Sequence, residues 1–432
     1  MPSSFQDIDH LLRRAGFAAS RATIEALTPL DWSAAVDRVL DQSRVPAATV
    51  GTPNLDPARG HWERYVDMTR FWIERSRTIE IPLAEKMVLF WSGHFCSSMS
   101  KVGNHQLMFA QNQLFRTAGL GSFRSLLHQI SLDPAMLIYL DNEQNRVGKA
   151  NENFARELME LFTLGVGNYS EDDVRESARA WTGYGLNDAQ QYVFSPSRHD
   201  NGDKTFFGTT RNWTGPEIID HLLDGPKREL VAKFIATLVF EFFAHPAPSD
   251  ATVATLANAF IASDWNIAAL VRAVFMHADF RSPTARNGLL RSPFEFVVAA
   301  LRHSGLTSAQ VNPEWQLRVM GQEAYGPPNV AGWGQNDYWL TSASTWAKTY
   351  FASAIRWQSY SAETFSTIRN LSAAAATTYA LEFFGIYNPS AKTLDAIYQA
   401  VRQERELVPY SSWTERAALL FLPLSTPEFQ LA

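Results

Sequence analysis

Residues 151–186 read NENFARELMELFTLGVGNYSEDDVRESARAWTGYGL. The stretch spells a helix, a glycine-marked turn and a second helix. The side-chain oxygen of Asn151 can accept a free N–H at the start of the first helix. Gly165 and Gly167 stop that helix after Leu164, since glycine readily takes the left-handed conformation of a helix end. Ser170 then restarts the chain as a capping box, with Asp173 three residues on. At about 100° per residue, Phe154, Leu158, Leu161, Phe162 and Leu164 fall on one apolar arc. Glu157 lies inside the edge of that arc, with Asn153 and Glu160 beside it, while Glu152, Arg156 and Thr163 point away. A carboxylate among apolar side chains needs a cation, a metal or a proton. Two readings stay open: Arg179 in the next helix pairs with Glu157 and ties the helices together, or Glu157 belongs to a site.

A chain of 432 residues usually suggests two or three domains. No flexible linker and no fixed-period repeat divides this one. The hydrophobic fraction of 46% is ample for a large core. The net charge of −6 is spread without long runs, which gives no basis for a nucleic acid or an anionic membrane as partner. No run approaches the roughly 20 apolar residues of a membrane span. The single cysteine, Cys96, rules out an internal disulfide and a multi-cysteine metal site. Arg13-Arg14 opens like a twin-arginine export signal, but AGFAASRATIEALTPL after it is an amphipathic helix start. The expected location is therefore the cytoplasm, or the periplasm or exterior if a leader has been removed.

Outside the central stretch the pattern is also mostly helical. Pro82 opens PLAEKMVLFWSGHF at a first-turn position, which suits a residue without an N–H. That helix puts Leu83, Met87, Phe90 or Trp91, and His94 on one stripe. His94 then points inward beside Ser97, Ser98, Ser100 and Lys101. The polar segment with Asp141, Asn142 and Asn145 is placed to fold back over the carboxylates. Residues 187–216 differ: Tyr192-Val193-Phe194 and Thr205-Phe206-Phe207 are short β-like runs around SPSRHDNGDK. The expected architecture is one mainly α, multi-helical domain with one small β-hairpin near 190–210. It has an N-terminal helical part (1–186), the hairpin insertion (187–216) and a C-terminal helical part (217–432). Residues 320–346, rich in Pro, Gly and Trp, form a loop too apolar for a solvated linker.

HLLRRAGF, KMVLFWSGHF, LDPAMLIYLDN, the 151–186 stretch, HDNGDKTFFG, MGQEAYGPPNVAGWG and STPEFQ follow one another along nearly the whole chain. In this order they resemble the bacterial domain-of-unknown-function family 1800. The resemblance implies one large family domain and brings no established activity. It marks Arg14, His94, Asp141, Asn142, Asn151, Glu152, Asn153, Arg156, Glu157, Glu160, Arg179, His199, Asp200, Lys204, Gln322 and Asn329 as recurrent polar positions. It also implies that relatives are often exported and often encoded beside a sulfatase-like protein, which is a candidate partner.

The sequence holds no P-loop, dinucleotide glycine pattern, GxSxG elbow or HExxH. Carboxylates and histidines remain. In a hydrolase or lyase reading, Glu157 and Asp200 act as general acid and base with His94 alongside, on a glycan or another small polyhydroxylated substrate. Arg179, Lys204, Gln322 and Asn329 would hold hydroxyls, and Trp333 and Trp339 would roof the cleft. In a second reading, Glu157, Glu160, His94 and His199 bind one divalent metal ion that activates water. The third is non-catalytic: a helical scaffold with a buried polar network, whose 320–346 loop docks a protein partner.

Overall fold

A computed structural model describes residues 2–41, 50–286, 288–359, 368, 371–407 and 419–432. The protein is mainly α-helical, with two small antiparallel ladders as its β-sheets among the described residues. Internal packing divides it into two compact units. One comprises Met1–Lys86, Arg281–Ala324 and Gly334–Ala432, the other Met87–Phe280 and Tyr325–Trp333.

The first unit is built around the Pro293–Ser304 helix, which packs on the His61–Thr78 and Ser342–Gln358 helices. Every residue from Pro293 to Leu301 is buried. A helix apolar on all sides must lie inside a core, and this one does. Ser292 starts it with a capping box to Glu295. Trp72 lies against Phe294 with ring centroids 4.6 Å apart.

In the second unit Arg228–Phe243, Asp250–Ala262 and Ile267–Met276 pack on one another, and Asn153–Glu160 packs on Glu171–Ala180. The central stretch forms the expected helix, turn and helix. The Ser170–Asp173 capping box is present, and Gly165 and Gly167 take φ of 82° and 81°. The first helix ends early, at Glu160. The chain then widens, with the N–H of Phe162 on the Glu157 carbonyl and that of Leu164 on the Met159 carbonyl. This turns Thr163 inward. It is fully buried, and its hydroxyl donates to the Leu158 carbonyl at 2.6 Å.

The β structure falls where expected but as two ladders. β1 (Tyr184–Leu186) pairs with β2 (Tyr192–Phe194), and β3 (Lys204–Phe206) with β4 (Thr209–Arg211). The runs at 192–194 and 204–206 each have their own partner because Pro196–Arg198 forms a 3₁₀ turn between them. Phe207 and Gly208, at φ of 44° and 78°, make the two-residue reversal that matches strand twist. No described helix is long and apolar enough to cross a membrane.

Candidate functional site

An asparagine ladder sets the start of the Asn153–Glu160 helix. Asn151 Oδ1 accepts the Asn153 N–H at 3.0 Å, and Asn153 Nδ2 donates to the Leu140 carbonyl. The Asn151 N–H donates to Asn145 Oδ1 at 2.9 Å. Asn145 Nδ2 in turn donates to Asn142 Oδ1 and to the Ala178 carbonyl, and Asn142 Nδ2 to the Tyr184 carbonyl. These amides satisfy backbone groups of four segments and so fix where the helix begins. Asp141, at φ 58°, turns its carboxylate to Lys101 Nζ at 2.7 Å instead of covering Glu157.

Glu157 is half-buried. Among the described residues its carboxylate accepts no hydrogen bond and forms no ion pair. Burial pushes the carboxyl up from its ordinary value, Glu160 adds to this, and Arg156 opposes it. Tyr139 lies near enough that Cys96 and Glu157 both add to the upward push of burial on its phenol. Glu160, by contrast, is committed: it accepts the Tyr169 hydroxyl. Arg156 turns outward to both oxygens of Glu171, at 2.8 Å each.

His94 Nε2 lies 3.1 Å from the Phe162 carbonyl, and the ring sits among Phe90, Trp91, Phe95, Phe162 and Phe234. A carbonyl can only accept, so Nε2 carries the proton. Burial pushes the imidazole down to about 4.

The loop tip forms a separate closed knot. Arg179 holds Asp200 through Nε at 2.8 Å and Nη2 at 3.2 Å, and reaches Glu176 through Nη1 at 2.7 Å. The guanidinium, the first cause, keeps the Asp200 carboxyl below its usual range. Arg179 therefore does not serve Glu157. Lys204 Nζ donates to the Asp200 and Gly202 carbonyls and to Asn212 Oδ1, at 2.6, 2.9 and 2.8 Å. His199 Nδ1 donates to the Thr182 carbonyl at 2.8 Å, and its Nε2 is buried without a partner among the described residues. Asp200 and Lys204 are thus spent on local structure.

Among the described residues no three His, Cys, Asp or Glu side chains come together at a metal's reach. His94, Glu157, Glu160 and His199 do not converge, because each histidine is held by a different backbone carbonyl and Glu160 by Tyr169.

The expected aromatic roof is divided. Tyr325–Trp333 belongs to the second unit and lies along the end of the Leu83–His94 helix. Gly332, at φ 85°, is so close that a Cβ would stand 2.1 Å from the Gly93 carbonyl oxygen and 3.2 Å from Cys96 Sγ. The Trp333 ring lies 3.7 Å from the corresponding point at Gly93, and its indole N–H is buried without a partner among the described residues. Asn329 is exposed, and its Oδ1 accepts the Ala331 N–H in a local turn. Trp339 and Gln322 belong to the first unit. Trp339 is 3% exposed, and Gln322 Oε1 accepts the Phe294 N–H at 2.8 Å, satisfying a free donor at that helix start.

Two features escaped the sequence reading. Gln111 Nε2 bridges Ser97 Oγ at 3.0 Å and Asp133 Oδ1 at 2.7 Å, and burial pushes the Asp133 carboxyl up to about 6. Only the Asp133-Pro134 pair, a helix-start signal, hinted at it. In the first unit a cavity of about 360 Å³ is lined by Arg21, Arg77, Arg302, His303, Tyr379 and Tyr387, among others. It brings together residues from four distant stretches, which no local pattern reveals.

A family model described as "Protein of unknown function (DUF1800)" matches residues 10–431. The chain belongs to this family. No curated protein and no solved structure matches it significantly. DUF1800 membership thus names a lineage and leaves the chemistry to the side chains. In this DUF1800 protein the carboxylates of the 151–186 stretch are paired, with Glu157 the exception.

Proposed function

We propose that this protein is a non-catalytic helical scaffold that works by binding a partner, the sulfatase-like protein that the family resemblance brings with it. The observation that carries the reading is the Arg179–Asp200 fork, which commits the second carboxylate of the acid–base pair. The Ser342–Gln358 helix supports it. Trp346, Tyr350 and Trp357 stand 58%, 54% and 53% exposed, and their spacing puts them within about 40° of one another around the helix. Solvent-facing aromatics in a row are the composition of a binding face. Co-expression with the sulfatase-like protein tests this. The partner should stay bound through affinity purification, and Trp346→Ser with Tyr350→Ser should release it while the helical spectrum is unchanged. Retention by that variant, or none by wild type, refutes the proposal.

Glu157 favours a second reading, a single-carboxylate acid acting on a polyhydroxylated substrate. Its support is the unpaired, half-buried carboxyl that burial pushes up, the direction that favours a proton donor. A panel of glycans incubated with wild type and Glu157→Gln tests it: turnover lost only in the variant supports it, and no turnover by wild type ends it.

A further inference from the structure

Among the described residues, the interior of the first unit holds more cations than its carboxylates can answer. Arg14, Lys86, Arg291 and Lys348 are 1%, 2%, 3% and 7% exposed. Glu295, 8% exposed, is the carboxylate among them, and both its oxygens are taken, one by Lys86 and the other by the Ser292 N–H at 2.7 Å. Among the described residues Arg291 Nη1 and Lys348 Nζ reach uncharged acceptors, the Phe429 carbonyl and Gln430 Oε1, both at 2.8 Å.

Arg14 is the extreme case. Its Nη2 donates to the Ala285 carbonyl, while Nε and Nη1 are buried with no hydrogen-bond partner among the described residues. The cations also feel one another. Arg14 and Arg291 each depress Lys86, Arg291 depresses Lys348, and Arg13 depresses both Arg14 and Arg291. Burial is the largest cause throughout, and Glu295 opposes it at each of the four. Asp9, the next carboxylate to feel Arg291, lies with Arg13 and Arg286, and burial raises it toward the neutral form.

A lysine can escape such a place by losing its proton, but a guanidinium holds its charge and its donors. Buried donors without acceptors and buried charge without countercharge are both strongly unfavourable. One compact anion answers both. We infer that the first unit binds a small inorganic anion, chloride or an oxyanion of sulfate or phosphate size, on the free N–H groups of Arg14, with Arg291, Lys86 and Lys348 supplying charge around it. Arg13, the neighbour of Arg14 in sequence, lines a polar cavity of about 190 Å³ together with Asp9, His10 and Arg286.

The test is thermal unfolding of the full chain in sodium gluconate, with chloride, sulfate or phosphate exchanged in at constant ionic strength. The midpoint should rise by a few degrees and saturate for at least one compact anion, as a ligand that binds only the folded state requires. The ion that saturates at the lowest concentration identifies the source. Arg14→Gln should lose the rise. Lys348→Met leaves Arg14 in place and should increase the half-saturating concentration several-fold, which keeps the test decisive if Arg14→Gln does not fold. A midpoint that responds equally to every salt, gluconate included, or a saturable rise unchanged in both variants, overturns the inference and leaves water as the partner of Arg14.

Discussion

Arg179 grips Asp200 at two points, Nε at 2.8 Å and Nη2 at 3.2 Å from the two carboxylate oxygens. The fork fastens the loop after β2 to the Glu171–Ala180 helix, and Gly202 is pressed into it. A Cβ at Gly202 would lie 2.9 Å from Arg179 Nη2. Arg179→Lys should cost about 1–3 kcal/mol, since lysine keeps the charge and loses the planar two-point geometry. Asp200→Asn should cost a similar amount, and the double variant much less than the sum. Urea titrations of the four proteins measure this; additive effects would show that the fork carries no coupling.

Glu157 behaves in the opposite way. Its folded carboxyl is raised, first by burial and then by Glu160. The folded state therefore binds its proton more tightly than the unfolded state does. Stability from this group is present at low pH and is lost as pH rises through the carboxylate range. Glu157→Gln should melt no lower than wild type at pH 7, with the difference closing below pH about 4. A large loss of stability in the variant would mean that the carboxylate has a structural partner.

Asp133 permits a sharper test because its shift is larger. Burial lifts it to about 6 from 3.8, so the folded state holds the extra proton between those values. Wild type loses stability as pH rises through this window. The Gln111 side chain and the Met136 N–H both donate to Oδ1, an atom asparagine retains. Asp133→Asn should therefore gain about 1–3 kcal/mol at pH 7, shrinking to nothing near pH 4. Equal stability at pH 7 would show that folding does not raise the Asp133 carboxyl.

Chelation separates the metal reading from the rest. Three of the four candidate ligands, His94, His199 and Glu160, are held on different partners, so dialysis against EDTA should leave the melting midpoint unchanged. Adding manganese, zinc, calcium or magnesium should not raise it. Elemental analysis that finds one ion per chain, with a midpoint that falls on its removal, would restore a metal centre.

Local chemistry made much of this legible in advance. The Ser170–Asp173 box, the glycines at 165 and 167 and the helix opened by Pro82 each depend on neighbours in sequence. Thr163 was misplaced because a 100° step applies only inside a helix, and this helix ends at Glu160. The strand pairing and the partner of Arg179 were open for another reason. Glu157 and Asp200 are equally good partners on paper, and only the path of residues 187–200 chooses between them. Gln322 looked like a hydroxyl donor because nothing near it in sequence announces the Phe294 N–H it accepts.

The placement of Gly332 against the Gly93 carbonyl bears on how the chain is made. Tyr325–Trp333 completes the second unit but is separated from Phe280 by residues of the first. A ribosome that has just released Phe280 has supplied most of the second unit and none of the strip that lies on Gly93 and Cys96. That surface stays bare while more than forty further residues are added. A fragment ending at Phe280 would keep it bare permanently, so the second unit cannot be obtained intact by cutting the chain once.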